Sequence, residues 1–163
     1  MTDPVDRILG QWHTERPDLD ASPMAVIGRL SRASVDVDAR LAATFARHRL
    51  DSSSFDVLAT LLRSGHPHQL APAELARDAM ISTSAVAQRL NKLEQRGLIA
   101  RGPNPHDGRG TLVTLTPAGR DLIEEALPDH LLTEHAIVAE LSPAEQAQLA
   151  ALLQRVSDAA SRP

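Results

Sequence analysis

The sequence predicts a mainly α-helical fold that contains one short β-hairpin. Apolar residues recur at helical spacing along most of the 163-residue chain, and turn or capping residues interrupt them at intervals. The segment "LIARGPNPHDGRGTLVTLT" departs from this pattern, because two short runs suited to strands flank a tip rich in Gly and Pro. A polar helical segment, "STSAVAQRLNKLEQRG", stands directly before that hairpin. The order of these elements is therefore helices, hairpin, then helices again.

Two helices are predicted in the amino-terminal part of the chain. A short first helix, ended by Pro17, is indicated by four residues at helical spacing: Val5, Ile8, Leu9 and Trp12. Ser22 is a suitable N-cap and Pro23 a suitable first helical residue for the next element. A long helix over roughly 23–48 follows.

A pair of short helices is predicted before the hairpin. After a helix capped by Asp51 or a following Ser, a short helix opens at Pro72, and another begins at Ser82 or Thr83 and ends at Gly97. The buried stripe of this last helix is predicted to be Val86, Leu90 and Leu93. Two helices joined by about three to four residues form a helix-turn-helix, and the hairpin supplies the wing of a winged helix-turn-helix.

Two more amphipathic helices are predicted at the carboxyl end, from "TPAGRDLIEEALPDHLLTEHAIVAEL" and "SPAEQAQLAALLQRVSDAA". Ser142 with Glu145 three residues later has the spacing of a capping box. The chain is thus divided into an amino-terminal part (1–50), a winged helix-turn-helix region (51–116) and carboxyl-terminal helices (117–163), within one structural domain.

Charge is distributed unevenly along the chain. The formal net charge is −4, but residues 77–109 carry six basic and three acidic side chains, a local surplus of +3. An acidic remainder repels phosphate, which suits a protein that binds nucleic acid through one surface. A solvated helix laced with ion pairs is the alternative interpretation.

Composition also excludes several classes of function. The chain has no Cys, which rules out disulfides and thiolate metal sites. Neither a membrane span nor a signal peptide is expected, which indicates a cytoplasmic protein without a membrane partner. No arrangement typical of a catalytic site is found, so no enzyme is expected. His66 and His68 flank Pro67 in a loop, and His130 and His135 are five residues apart, a spacing that does not align on one helix face, so neither a metal nor a cofactor is expected.

The residues predicted to contact DNA lie on the second helix of the motif and at the tip of the wing. Small hydroxylic residues allow a helix end to approach the major groove, and side-chain amides can read adenine edges. An Arg between two Gly residues suits insertion into a narrow minor groove, although a plain hairpin loop is the alternative. The predicted DNA-binding residues are Ser82, Thr83, Ser84, Gln88, Arg89, Asn91, Lys92 and Arg109.

Several motifs together resemble one family. The segment "ELARDAMISTSAVAQRLNKLEQRGLIAR", the "HDGR" wing and the "LTPAGRDL" start of the following helix are similar to the MarR family of winged-helix regulators. The resemblance implies a homodimer whose long first helix and last two helices serve dimerisation. It also implies a pseudo-palindromic operator in double-stranded DNA, with half-sites one helical turn, roughly 10 bp, apart.

A narrower resemblance concerns the added amino-terminal helix, with "QWHTERPDLD", which is similar to the urate-responsive branch of that family. The positions that match its ligand-binding motif are Trp12, Asp56, Arg89 and Arg101. Urate is a planar anion, for which an indole offers stacking and a guanidinium offers charged hydrogen bonds. Arg101 is the expected partner of Asp56, and an anion that repels Asp56 would loosen this pair. Alternatively, Trp12 is a core anchor and the pair is structural.

The predicted function is therefore a transcriptional repressor that a small anionic ligand such as urate releases from its operator. Two alternatives stay open from the residues. One is a regulator of the same type that responds to another aromatic or polycarboxylate anion. The other is a winged helix used only for protein contacts.

Overall fold

The computed structural model of the protein describes residues 3–79, 83–104 and 107–162, and at 83–85 and 107–109 it describes the backbone alone. Within these ranges the helices and strands are α1 (Pro4–Glu15), α2 (Met24–Arg47), α3 (Ser52–Arg63), β1 (Gln69–Leu70), α4 (Pro72–Asp78), α5 (Thr83–Gln95), β2 (Ile99–Asn104), β3 (Asp107–Leu115), α6 (Pro117–Ile137) and α7 (Pro143–Ala160). The predicted class, mainly α-helical with a small antiparallel sheet, is confirmed.

Two compact units make up the chain, residues 1–42 and residues 43–163, and the boundary lies inside α2. In the first unit, Asp3 caps α1 by accepting a hydrogen bond from the backbone N–H of Val5 (2.9 Å). Val5 is buried and packs onto Gly28 of α2. Arg29 forms ion pairs with Asp3 and Asp6 at 2.6 and 2.7 Å, which hold the start of α1 against α2.

The core of the second unit lies between α3, α4, α5, α6 and the sheet. Its largest fully buried apolar side chains are Leu58, Leu61, Leu75, Leu93, Ile99, Ile123, Val57 and Val113. Phe45, near the end of α2, stacks on Phe55 of α3 with ring centroids 4.4 Å apart, and the ring of His130 packs against both. These contacts attach the end of α2 and the middle of α6 to the helix that precedes the helix-turn-helix.

The end of α5 is tied to the start of α6. Gly97 has a φ of +69°, a conformation that glycine adopts without strain, and it ends α5 as predicted. The hydroxyl of Thr116 donates to the Gly97 carbonyl oxygen (2.7 Å) and caps α6 by accepting from the N–H of Gly119 (3.0 Å). The N–H of Thr116 donates in turn to the carbonyl oxygen of Leu98 (3.2 Å). The two strands of the wing therefore leave from a fixed base.

The sheet has three antiparallel strands in the order β1-β3-β2. The predicted hairpin is β2 and β3, with Ile99 opposite Leu115 and Arg101 opposite Val113, and its register shifts between Pro103 and Asn104. Strand β1 was not predicted. It has only two residues, too few to show the alternation that marks a strand in sequence.

The two predicted carboxyl-terminal helices are α6 and α7. The Ser142 hydroxyl accepts from the Glu145 N–H (3.4 Å) and the Glu145 carboxylate accepts from the Ser142 N–H (2.8 Å), which confirms the capping box. No residue of α7 is buried within the described chain. Across the described residues, none of the helices combines the length and the apolar character that crossing a membrane requires.

Candidate DNA-binding surface and ligand-binding residues

Helix α5, the second helix of the helix-turn-helix, buries one stripe and exposes another. The predicted buried stripe is confirmed, since Val86, Leu90 and Leu93 are 3% exposed or less. Gln88 and Asn91 lie on the exposed side with Lys92, and Arg89 is half-buried at the edge of that side. The exposed stripe thus combines two side-chain amides with a cation, the groups that contact base edges and phosphates.

Four of the predicted DNA-binding residues are described in part or not at all. Ser82 lies outside the described residues, so the choice between Ser82 and Thr83 as the N-cap of α5 stays a prediction. The backbone places Thr83 and Ser84 in the first turn of α5 and Arg109 in β3. Their side chains lie outside what the structure describes.

A single carboxylate, that of Asp51, holds two cations of α5. Its Oδ2 atom lies 3.0 Å from Nη1 of Arg89 and 2.9 Å from Nζ of Lys92. Its Oδ1 atom accepts the N–H of Ser54 (2.8 Å), which makes Asp51 the N-cap of α3, as the sequence suggested. Asp51 therefore links the start of α3 to α5.

The charge state of Asp51 follows from these contacts. Partial burial alone would raise the pKa of its carboxyl group. The hydrogen bonds from Lys92 and from Ser54, together with the charge of Arg89, outweigh that effect, and the pKa lies below the ordinary value. Asp51 is thus a carboxylate anion at neutral pH. Sequence reasoning identified the cap but missed this role, because no local pattern links position 51 to positions 89 and 92.

Arg101, on the first strand of the wing, is bound by Glu94 near the end of α5. The Glu94 carboxylate accepts from Nε of Arg101 (2.9 Å), from its Nη2 atom and, through the other oxygen, from its backbone N–H (3.2 Å). These contacts lower the pKa of Glu94 and raise that of Arg101. The pair fixes the direction in which the wing leaves α5.

The expected pairing of Arg101 with Asp56 is wrong. The chain reverses at Gly97, and β2 runs back along α5, so Arg101 meets Glu94 first. Asp56 instead lies 3.9 Å from Nη1 of Arg63, two turns further along the same helix face. Sequence spacing gave no means to choose between two carboxylates for one guanidinium.

The four residues expected to bind a ligand are distributed over the two compact units. Trp12 belongs to α1 in the first unit and keeps 40% of its surface exposed, which does not support its interpretation as a core anchor. Asp56, Arg89 and Arg101 belong to the second unit, where each forms an ion pair with a different partner.

A cleft of about 580 Å³ lies between α4, α5 and the wing, and the sequence did not predict it. Its walls are mainly apolar, with Ala76, Val86 and Leu90 on the two helices and with Arg101 and Thr111 at the wing. Among the described residues, no group of three or more His, Asp or Glu side chains is placed to hold a metal ion.

A helix-turn-helix followed by a β-hairpin makes the chain a winged-helix protein. The model of the MarR family matches residues 50–110, and the HTH-type transcriptional regulator PecS of Dickeya dadantii (strain 3937) is 41% identical over 152 residues, which are 93% of this chain and 92% of PecS. The chain belongs to the MarR family and is a DNA-binding transcriptional regulator. The relatives are regulators, which agrees with the expectation that the protein is not an enzyme.

Two solved structures resemble the chain along most of its length. BpsR of Bordetella bronchiseptica, whose DNA binding is regulated by 6-hydroxynicotinic acid, is 31% identical with a TM-score of 0.74, over 82% of this chain and 93% of BpsR. A mutant MarR from E. coli complexed with operator DNA is 26% identical with a TM-score of 0.73, over 85% of this chain and 99% of that MarR. The predicted family and fold are thereby confirmed.

Proposed function

We propose that the protein is a homodimeric repressor that binds a pseudo-palindromic operator through α5 and the wing, and that a small planar anion releases it. The observation that carries this proposal is the exposed stripe of α5 with Gln88, Asn91 and Lys92, next to a wing whose first strand is fixed by Glu94 and Arg101. Amides and a cation on one helix face can combine base readout with phosphate contacts. The structure of the related MarR in complex with operator DNA supports DNA as the partner.

The homodimer is supported by the apolar surface of the carboxyl-terminal helices. Leu131 and Leu132 of α6 are 45% and 66% exposed, and Leu149, Leu152 and Leu153 of α7 are 40–45% exposed. These leucine side chains bury little apolar surface against their own chain. A second copy of the chain, packed against the same helices, would bury them. Two recognition helices related by a two-fold axis would then read half-sites about one helical turn, roughly 10 bp, apart.

The ligand is proposed to be a planar anion, urate or a heteroaromatic acid of similar size. The regulation of BpsR by 6-hydroxynicotinic acid supports this chemical class. Trp12 offers an exposed indole face for stacking, and Arg89 offers a guanidinium for charged hydrogen bonds. In this proposal the anion takes Arg89 away from DNA phosphate and competes with Glu94 for Arg101, so binding removes a DNA contact and disturbs the pair that holds the wing.

Release from DNA is tested with the labelled DNA that lies directly upstream of the protein's own gene. Fluorescence anisotropy at fixed salt should show saturable binding, and urate or 6-hydroxynicotinate should reverse it. Binding that neither anion changes would refute the proposed ligand class but leave the DNA surface intact. Absence of binding both to this DNA and to a set of random-sequence duplexes would refute the proposal that α5 and the wing bind DNA.

Ligand binding has an independent readout because Trp12 is the only tryptophan of the chain, which also has no tyrosine. A stacked ligand should quench its emission in a saturable manner. N-acetyltryptophanamide at the same absorbance controls for light absorbed by the ligand itself. Quenching no greater than this control would exclude stacking on Trp12.

A further inference from the structure

The contacts of Asp51 have a geometry that differs from an ordinary surface ion pair. Two cations three residues apart on α5 converge on one carboxylate oxygen, while the other oxygen caps α3. Three of the roughly four acceptor sites of the carboxylate are therefore used. Because Asp51 and Lys92 are partly exposed, at 36% and 51%, the cluster is still open to solvent and to ions.

Within the described residues, the Arg89 side chain is incompletely satisfied. Its Nε atom is buried and makes no hydrogen bond, although Nη1 is held by Asp51. Because Nε is buried, a phosphate can reach Arg89 only through its Nη atoms, one of which Asp51 already holds. Lys92, by contrast, is a flexible point charge that can turn from one oxygen to another at small cost.

Asp51 thus accepts hydrogen bonds from the same two cations that a phosphate contacting this part of α5 would use. A phosphate that contacts Arg89 or Lys92 must either displace the carboxylate or lie beside its negative charge. The cluster of these three side chains carries a net charge of +1, whereas the two cations alone carry +2. Both effects reduce the attraction of α5 for any DNA backbone, whatever its sequence.

We propose that Asp51 is an internal competitor of DNA phosphate, a positioning residue that acts through Arg89 and Lys92 and lowers both the affinity for DNA and its salt dependence. This inference rests on the proposed DNA-binding surface of α5. It assigns to the α3 cap a second role, that of limiting backbone attraction, so that base contacts contribute a larger share of the binding energy.

The substitution Asp51→Asn tests the proposal without removing the cap, because Asn is as good an N-cap as Asp and its side-chain oxygen can still accept the Ser54 N–H. The affinity for operator and for random duplex DNA should rise about threefold to tenfold, the range expected for two partly exposed ion pairs. The slope of log K against log[salt] should become steeper by about 0.9, one additional phosphate neutralised.

Two further variants make the result specific. Glu124→Gln removes the acid of the exposed Arg120–Glu124 pair on α6 and changes the net charge by the same amount. It should alter the affinity by less than about twofold, since Glu124 pairs with Arg120 on its own helix rather than with a cation of α5. In a background of Lys92→Ala, Asp51→Asn should produce a smaller gain, because one of the two cations it releases is missing.

The outcomes separate this proposal from the DNA surface on which it depends. If Lys92→Ala leaves DNA binding and its salt slope unchanged, the surface itself is wrong. Two results would refute competition although Lys92→Ala weakens binding. If Asp51→Asn also weakens binding, Asp51 orients the cations for DNA. If Asp51→Asn leaves the salt slope unchanged, Asp51 has no effect on phosphate contacts. Melting of Asp51→Asn should stay cooperative, with a midpoint only a few °C below that of the parent, roughly the loss expected for two partly exposed ion pairs, which excludes a general loss of structure.

Discussion

The contact between Gly119 of α6 and the start of β2 predicts a large effect of one methyl group. A Cβ at Gly119 would lie 2.0 Å from the carbonyl oxygen of Leu98 and 2.9 Å from its carbonyl carbon. These are backbone atoms, and the same oxygen accepts the N–H of Thr116. Gly119→Ala therefore cannot be accommodated by rotating a side chain, and the base of the wing must shift.

The free energy of unfolding should fall by about 3 kcal/mol. Overpacking against atoms that cannot move costs about 3 kcal/mol, and loss of the Thr116 hydrogen bond costs about 1 kcal/mol. Replacing Gly by Ala within a helix returns up to about 1 kcal/mol. For a chain of this size the melting temperature should drop by about 6–12 °C, measured by circular dichroism at one protein concentration.

Gly10→Ala in α1 is the matched control, since a Cβ at Gly10 meets no atom within 4 Å. It should raise stability by up to about 1 kcal/mol, through helix propensity alone. The close contact between Gly119 and Leu98 does not fix the wing if Gly119→Ala lowers the free energy of unfolding by less than about 1 kcal/mol. The same conclusion holds if its melting temperature equals that of Gly10→Ala.

Three other predictions concern the wing, the recognition helix and the ligand. Arg101 lowers the pKa of Glu94, so at pH values above the ordinary carboxyl pKa of about 4.3 the pair contributes its full stabilisation of the wing. This stabilisation is lost as the pH falls through the lowered pKa that Glu94 has in the folded protein. A carbon-13 NMR titration of Glu94 with a midpoint above about 4.3 would contradict the prediction. Asn91→Ala should cost about 1–3 kcal/mol of operator affinity but little affinity for random DNA, measured by competition anisotropy, and an equal loss on both would exclude base readout. Trp12→Ala should weaken an aromatic anion about tenfold and a flexible carboxylate less, by calorimetry, whereas Trp12→Phe should retain most of the affinity; equal losses for both ligands would exclude stacking.

Local signals in the sequence predicted the helices and the hairpin well. The capping box at Ser142, the Asp51 cap and the stop at Gly97 depend on neighbours a few residues away, and the chain forms each of them. The buried stripe of α5 follows equally from spacing along one helix. Strand β1 was missed because two residues carry no period.

The side-chain pairings of the site could not be predicted in the same way. Arg101 had two carboxylates within plausible reach, and the choice of Glu94 over Asp56 depends on the path of the chain after Gly97. The link from Asp51 to Arg89 likewise joins two residues that are 38 positions apart in sequence. Such contacts are set by helix packing, which spacing along the chain does not reveal.

The basic surplus counted in the sequence therefore overstates the charge that the winged helix offers to DNA. Residues 77–109 carry a surplus of +3, but Asp51 lies outside this segment and its single negative charge faces two of the segment's cations. Arg101 is bound by Glu94, and Arg96 donates to the carbonyl oxygen of Arg49 at 2.9 Å. A phosphate that contacts one of these cations must displace its internal acceptor or bind beside it. The salt slope of the parent protein should consequently be smaller than its number of basic side chains implies, because counterion release is partly offset by the carboxylates that are left behind.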